Sequence, residues 1–315
     1  MKKLLLSIAF LPILAFAQEQ GTLPSFTEYG FFATHDSGKF ASQTAFVGAA
    51  ASNGIGARVG YSHYSAPGQS FDSPFVQATY VHAGKDLSIF GAAGVKTGVN
   101  GNVFIGQFES RKVVSESFAF GFSVNADVVE SIASIKNGTS FYSIGANFDY
   151  LVAENLNVFV GLYDTEFSDN NSRQTLKTKT TWTFYPEQGV SAYVRTKDQR
   201  DSSPEKRDYS SPEKRDYFSP ESSDLIVGGF QIRKFINGLV YTGAIDYGTE
   251  RITTLGGDVS KNGVYTWNLG LQTAPAKRNG VTFGAMLISS NTSIASSSNE
   301  NYTWYGLYSW LKIPF

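Results

Sequence analysis

Only three histidines, His35, His63 and His82, occur in the 315-residue chain, and one lies in the run Thr34-His35-Asp36-Ser37-Gly38. A nucleophile, a base and an orienting acid are all present there by type. Neighbours on a strand or turn point apart, whereas acyl transfer needs the three groups to converge. The histidines have no metal-ligand spacing, and the chain contains no cysteine. The stretch Gly54-Ile55-Gly56-Ala57-Arg58-Val59-Gly60 has the glycines of a phosphate loop, but they alternate as in a strand and no helix follows. No catalytic residue, metal or cofactor is expected.

A second set has chemistry of a non-covalent kind. Phe159, Tyr163, Tyr193, Tyr308 and Trp310 offer ring faces, and Asp127, Asn147, Asp149, Asp246 and Arg195 offer hydrogen bonds. Flat aromatic faces take sugar rings, and acids and amides take sugar hydroxyls. The same rings also suit simple packing, as a plug or an interfacial girdle. Acids and bases look nearly balanced, so the charge of any solute is left open. What the ten share is position: each falls on the small or polar side of an alternating run.

Those runs define the elements. In Ser117–Val128, Phe118, Phe120, Phe122, Val124, Ala126 and Val128 alternate with Ala119, Gly121, Ser123, Asn125 and Asp127. The stretches 141–150 and 265–273 repeat the pattern, and a period of two means strands. Soluble sandwiches put many Lys and Glu on the polar face. Here that face is Gly, Ser, Asn and Thr, as expected for residues crowded inside a barrel. About 16 such runs occur, centred near 31, 46, 60, 77, 91, 105, 122, 145, 161, 179, 194, 228, 245, 268, 285 and 308. The fold class is all-β, a transmembrane antiparallel barrel of about 16 strands.

Both ends of the chain agree. Residues 302–315 alternate to a terminal Phe315, as a closing strand with a lipid face would, and such an ending resembles the signal read by the barrel-assembly machinery. Residues 1–17 combine Lys2 and Lys3, an apolar stretch and small residues at Ala15 and Ala17, the pattern of a cleaved secretory signal. Residues 18–315 then form the barrel, placed in the bacterial outer membrane, because no later stretch is apolar enough for a membrane helix. Aromatics at 15%, 31 glycines and a mean hydropathy of −0.16 suit strands that show half their residues to lipid. A net charge of −1 gives no reason to expect nucleic acid.

Connections are expected to alternate in length: short turns near 52–54, 83–85, 153–155, 186–189, 236–238 and 277–280, with Asn-Gly at 53–54, 237–238 and 279–280. Longer outer loops are expected at 129–139, 198–222, 252–262 and 291–301, with 37–39 a short exception. The octapeptide 202–209 recurs unchanged at 210–217, which reads as a slipped duplication in a solvated loop.

Two short motifs carry a family resemblance. Tyr217-Phe218-Ser219-Pro220 resembles an aromatic-Ser-Pro motif that opens a late strand. Ser168, Asp169, Asn171 and Arg173 resemble a Ser-Asp-Gly-Asn-x-Arg turn, with Asn170 at the glycine position, and Val128-Val129-Glu130-Ser131 is similar to a Val-Glu-Thr segment before that turn. Both belong to the YaiO-type outer-membrane barrels, related to the barrel domains of cellulose and poly-N-acetylglucosamine export porins. The resemblance covers the middle and last thirds of the barrel. It implies a non-enzymatic channel associated with exopolysaccharide export or passage, partnered by lipid, a polysaccharide and a separate periplasmic delivery protein. That last partner is implied because the helical repeats of the export porins have no counterpart here. The alternatives are a structural or adhesive barrel acting through its outer loops, and a general small-solute porin.

Overall fold

The structure, a computed structural model, describes residues 24–98, 100–204, 217–273, 280–293 and 301–315. Residues 1–17, most of the octapeptide repeat and Asn279 lie outside them. Sixteen strands follow one another: β1 (Phe26–Asp36), β2 (Ala41–Ala50), β3 (Ile55–Ala66), β4 (Gln69–Ala83), β5 (Leu87–Gly98), β6 (Gly101–Ser115), β7 (Phe118–Val128) and β8 (Ser140–Ala153). The second half comprises β9 (Leu156–Phe167), β10 (Ser172–Tyr185), β11 (Val190–Asp201), β12 (Ser222–Ile236), β13 (Leu239–Thr253), β14 (Val259–Thr273), β15 (Thr282–Ser293) and β16 (Asn301–Pro314). A short helix, α1 (Ile132–Asn137), lies between β7 and β8, and a single 3-10 turn (Pro186–Gln188) lies between β10 and β11. Each strand pairs antiparallel with its sequence neighbours, and β1 pairs with β16 to close a barrel. Every expected run centre falls inside a strand. No helix among the described residues is long and apolar enough to cross a membrane.

Closure leaves no free edge strand, so each strand is paired on both sides through its middle. The register then settles which side chains share a face. Glu28 stands opposite Lys312 and Gly48, and that set runs round the inner surface as Arg58, Gln77, Gly94 and Ile105. The outer surface is apolar: Val59, Phe104, Leu162, Phe230 and Leu269 are each more than half exposed. In water, roughly 1–2 kcal/mol per such side chain would go unrealised. Against lipid the exposure costs nothing, and the polar pairs Thr34–Ser42 (2.7 Å) and Thr44–Ser62 (2.8 Å) are turned inward.

An even strand number returns both chain ends to one rim, where Phe26 faces Pro314. At that rim the connections that are fully described are tight. At 237–238 both Asn237 (φ 51°) and Gly238 (φ 80°) are left-handed, as an Asn-Gly hairpin turn requires. At 53–54 only Gly54 (φ 85°) is. A Cβ on Gly54 would meet the Val81 carbonyl oxygen at 2.0 Å, so this position takes no side chain.

The opposite rim differs from expectation. Strands extend further than the alternation suggested, so that 198–201, 252–253, 259–262 and 291–293 are strand and only 254–258 connect β13 to β14. Hydrophobic alternation ends where lipid ends, but backbone pairing does not. Above the apolar band the outward face continues as Asp198, Arg200, Asp224 and Arg251, with Arg200 bonded to Asp198 at 3.1 Å.

Candidate functional site: the lumen and its far rim

At the far rim the two motif segments meet. The β9–β10 turn is built on Asn170, left-handed at φ 63°, a position that asparagine tolerates better than most residues. This turn aims Asn171 at the stretch entering β12. The Asn171 side-chain amide donates to the Tyr217 hydroxyl (3.1 Å) and the Ser219 hydroxyl (3.0 Å), while its carbonyl accepts from the Ser203 amide (2.9 Å). The Tyr217 hydroxyl donates to Asp169 (3.0 Å), and its ring stacks on Phe167 at 4.5 Å. Arg173 grips Asp201 with two bonds of 2.8 Å and donates to the Phe218 carbonyl at 2.7 Å. The Asp201 carboxylate is sealed from solvent and also accepts from Ser219 (2.8 Å). Pro220 is buried beside them, and Ser168 accepts from the Ser140 amide at 3.0 Å, tying in β8. Val129, from the third resembling segment, packs against Phe167 and Tyr217. Thus 128–131, 168–173 and 217–220 form one buried polar and aromatic knot.

From that knot the β7–β8 connection continues across the mouth. Ser131 caps α1 by accepting from the Ser134 amide (3.1 Å), and Gly138 ends it in the left-handed conformation. Ile135 is buried against Phe40, Tyr64 and Val128, so the helix rests on the inward faces of β3 and its neighbours. The β5–β6 turn holds it too, through Asn100 donating to the Lys136 carbonyl (2.6 Å). Glu130, at the helix approach, is half-buried, with Asp127 and Lys96 nearby. Burial, reinforced by the Asp127 charge, pushes its carboxyl up to about 7.

Below the mouth, all ten candidate residues face inward, but they fall into different roles. Asp127 takes the Lys96 ammonium (2.7 Å), and Asp149 lies 3.7 Å from Arg111. Tyr193 and Arg195 both donate to Asp246, at 2.8 and 2.9 Å, and Asp246 is almost fully buried. That trio is a wall brace with little surface left for a ligand. The remaining rings are arranged differently. Tyr163 lies flat along the wall: a Cβ on Gly145 would meet its ring at 2.3 Å, and one on Gly161 at 2.8 Å. Trp310 lies over Gly284 in the same way (2.6 Å), and Phe159 reaches beside Gly161 (3.2 Å). Tyr308 packs against Phe32 with ring centroids 4.4 Å apart, and Asn147 covers Gly121. Glycines beneath aromatics let the rings recline, so faces rather than edges line the passage.

Among the described residues no cluster of His, Asp and Glu has metal-binding geometry. His35 points outward while Asp36 is buried on the inner side, accepting from the Phe40 amide (2.9 Å) and the Tyr302 hydroxyl (3.1 Å). The pair therefore diverges, and the His35-Asp36-Ser37 run makes no triad. Phe315 is exposed at the chain-end rim, its amide donating to Ser25 (2.9 Å).

Among solved structures the barrel is similar to a bacterial polysaccharide outer membrane secretin, with a TM-score of 0.67 over 94% of this chain and 100% of that one at 12% identity. The chain has the fold of an outer-membrane pore barrel. It is also similar to OpdK from Pseudomonas aeruginosa, with TM-scores of 0.51 (10% identity, 92% of this chain and 98% of that one) and, with vanillate, 0.50 (9% identity, 94% and 100%). No family model and no curated protein sequence matches the chain.

Several lumen residues escape an inspection for isolated motifs. Lys177 and Lys179 (β10) and Lys197 (β11) share one inward wall with the expected Arg195, and Arg58, Lys96 and Glu109 line others. Alternation in Leu176-Lys177-Thr178-Lys179 was the available signal, since Leu176 marks the lipid face. Most inward acids pair with a base, as Asp127 does with Lys96, Asp201 with Arg173 and Asp246 with Arg195, whereas the charges acting on Lys177 are those of Lys197 and Arg195.

Proposed function

We propose that the protein is a non-enzymatic outer-membrane channel for the passage of a polysaccharide or its oligomers. The observation that carries this is the reclined aromatic lining. Trp310 on Gly284 turns a flat π-face inward, and Tyr163 reclines on Gly145 and Gly161 beneath Lys177. Such faces suit sugar rings, whose axial C–H groups pack on aromatic planes, while the neighbouring Asp149 and Asn147 suit hydroxyls. Two further points support the reading. A neighbour of the same fold is described as a polysaccharide secretin. The motifs resembling those of YaiO-type and export-porin barrels assemble into a single knot at the far rim, from which the chain continues into α1. On this reading the barrel is inserted by the barrel-assembly machinery after removal of residues 1–17 and meets a separate periplasmic delivery protein.

The test is conductance of the refolded barrel in a planar bilayer, with and without oligosaccharides. Steady current with transient blocks by oligosaccharide is expected. Current indifferent to every oligosaccharide would mean a general solute pore, and no current would move function to the outer loops.

A further inference from the structure

The β10–β11 wall combines two features that packing does not require. First, its inward register sets like charges directly opposite: Lys177 faces Lys197, and Lys179 faces Arg195. Like charges directly opposite each other destabilise a sheet. Second, the carboxylates of this wall are already committed. Asp201 is held by Arg173, Asp246 by Arg195 and Glu250 by Lys197 (3.6 Å). Lys177 and Lys179 remain in excess. No carboxylate of the described residues lies within 4 Å of Lys177, and the charges acting on it are those of Lys197 and Arg195. Lys179 donates to the neutral Gln231 (2.7 Å).

Both ammonium groups are also propped toward the passage. Lys177 sits 4.7 Å above the Tyr163 ring, and Lys179 sits 4.2 Å above Tyr193. The neighbouring strand β9 places Phe159 opposite Lys179 and Gly161 opposite Lys177, with Tyr163 one step further along. Lys177 thus covers the Tyr163 ring, while Phe159 stands beside Lys179.

We propose that this wall is a recognition site for acidic oligosaccharides, with Lys177 and Lys179 taking carboxylates while Phe159 takes a ring face of the same chain. The proposal rests on the channel reading and names its substrate class. A simple anion would need the lysines alone, and a neutral glycan the ring alone. Their juxtaposition selects a polymer with both.

The test is calorimetric titration of the refolded barrel in detergent with a galacturonate hexamer, galacturonate monomer and the neutral maltohexaose, for wild type and K177Q/K179Q. The acidic hexamer should bind more tightly than either control. Its affinity should fall roughly tenfold or more in the variant, the loss of two charge-assisted contacts, with maltohexaose unchanged. The substitutions remove two like-charge oppositions, so the variant should fold at least as well, as checked by its heat-dependent gel mobility. Equal affinity for acidic and neutral hexamers, no binding of the acidic hexamer, or a variant that binds it like wild type would each overturn the proposal. A monomer that binds as tightly as the hexamer would overturn the polymer and leave a small-carboxylate site. Bilayer current separates this from the channel reading. Current without acidic selectivity sinks only the recognition site; no current sinks the channel, and titration still decides the site.

Discussion

Replacing Arg173 with alanine should release the far-rim knot while leaving the barrel intact. The guanidinium makes two 2.8 Å bonds to Asp201 and one of 2.7 Å to the Phe218 carbonyl, and the Asp201 carboxylate has no solvent exposure. Without Arg173, that carboxylate keeps the Ser219 hydroxyl and a long contact from Gln199 (3.4 Å), neither of which neutralises it. Removing one member of a buried pair costs about 3–5 kcal/mol, mostly because a buried charge is stranded. The barrel wall does not depend on this contact, since β10 and β11 remain paired over their whole length. The cost should therefore appear as local opening. The Ser202 amide, bonded to the Ser172 carbonyl, and the Ser203 amide, bonded to Asn171, report on it. At about 1.4 kcal/mol per decade, their hydrogen exchange should accelerate by two to three and a half decades, with wall amides of β10 unchanged. R173A/D201A removes the stranded charge as well and should recover part of the loss. Exchange unaltered in R173A, or a double variant as open as the single one, would refute the idea that a stranded carboxylate dominates.

Other expectations concern insertion, the lumen and pH. Deleting Phe315 should lower the outer-membrane level of the protein, measured by fractionation, whereas an unchanged level would remove its part in assembly. In G145A the new Cβ falls 2.3 Å from the Tyr163 ring and must lift it off the wall. Single-channel conductance should drop and oligosaccharide blocks shorten, and an unchanged conductance would show that the ring does not border the path. Glu130 provides a pH dependence whose sign follows from its raised carboxyl, at about 7. Docked, it prefers to be protonated, so docking of α1 is fully supported below its ordinary value and weakens as pH rises through 7. Its neighbours Asp127 and Lys96 stay paired with each other meanwhile. Conductance recorded from pH 5 to 8 should change with a midpoint near 7, and E130Q should abolish that change; a step that survives the substitution belongs to another group.

How much of this was legible in the chain depends on the range of the forces involved. Alternation is a local consequence of the strand period, so Phe118–Val128 or Tyr265–Thr273 declares its two faces without help, and the lipid face is recognisable because Val59, Phe104 and Leu269 have no soluble use on that side. Closure also followed, because an unpaired edge cannot exist in lipid. The inward position of Asp149, Tyr163, Tyr308 and Trp310 was a matter of parity, which a single misplaced residue would have reversed and none did. The short turns declared themselves through Asn237-Gly238, where the residues have the needed left-handed freedom. The ends of strands at the far rim did not, since pairing there persists beyond the lipid that imposes the pattern, as Asp198–Arg200 and Arg251 show.

Tertiary structure alone decided which inward residues meet. Motifs 168–173 and 217–220 are more than forty residues apart, and nothing local announces that Asn171 and Tyr217 bond to each other. Arg195 and Asp246 look like two separate lumen contacts in the chain, yet β11, β12 and β13 bring them to 2.9 Å and bury the Asp246 carboxylate. Conversely, Lys177 and Lys197 each read as an ordinary charge on an alternating strand. Register set them face to face, and the prior commitment of Asp201, Asp246 and Glu250 left the lysines of β10 in excess. Periodicity is a property of the backbone and travels with the sequence. Charge balance is a sum over neighbours, and the neighbours exist only once the barrel has closed.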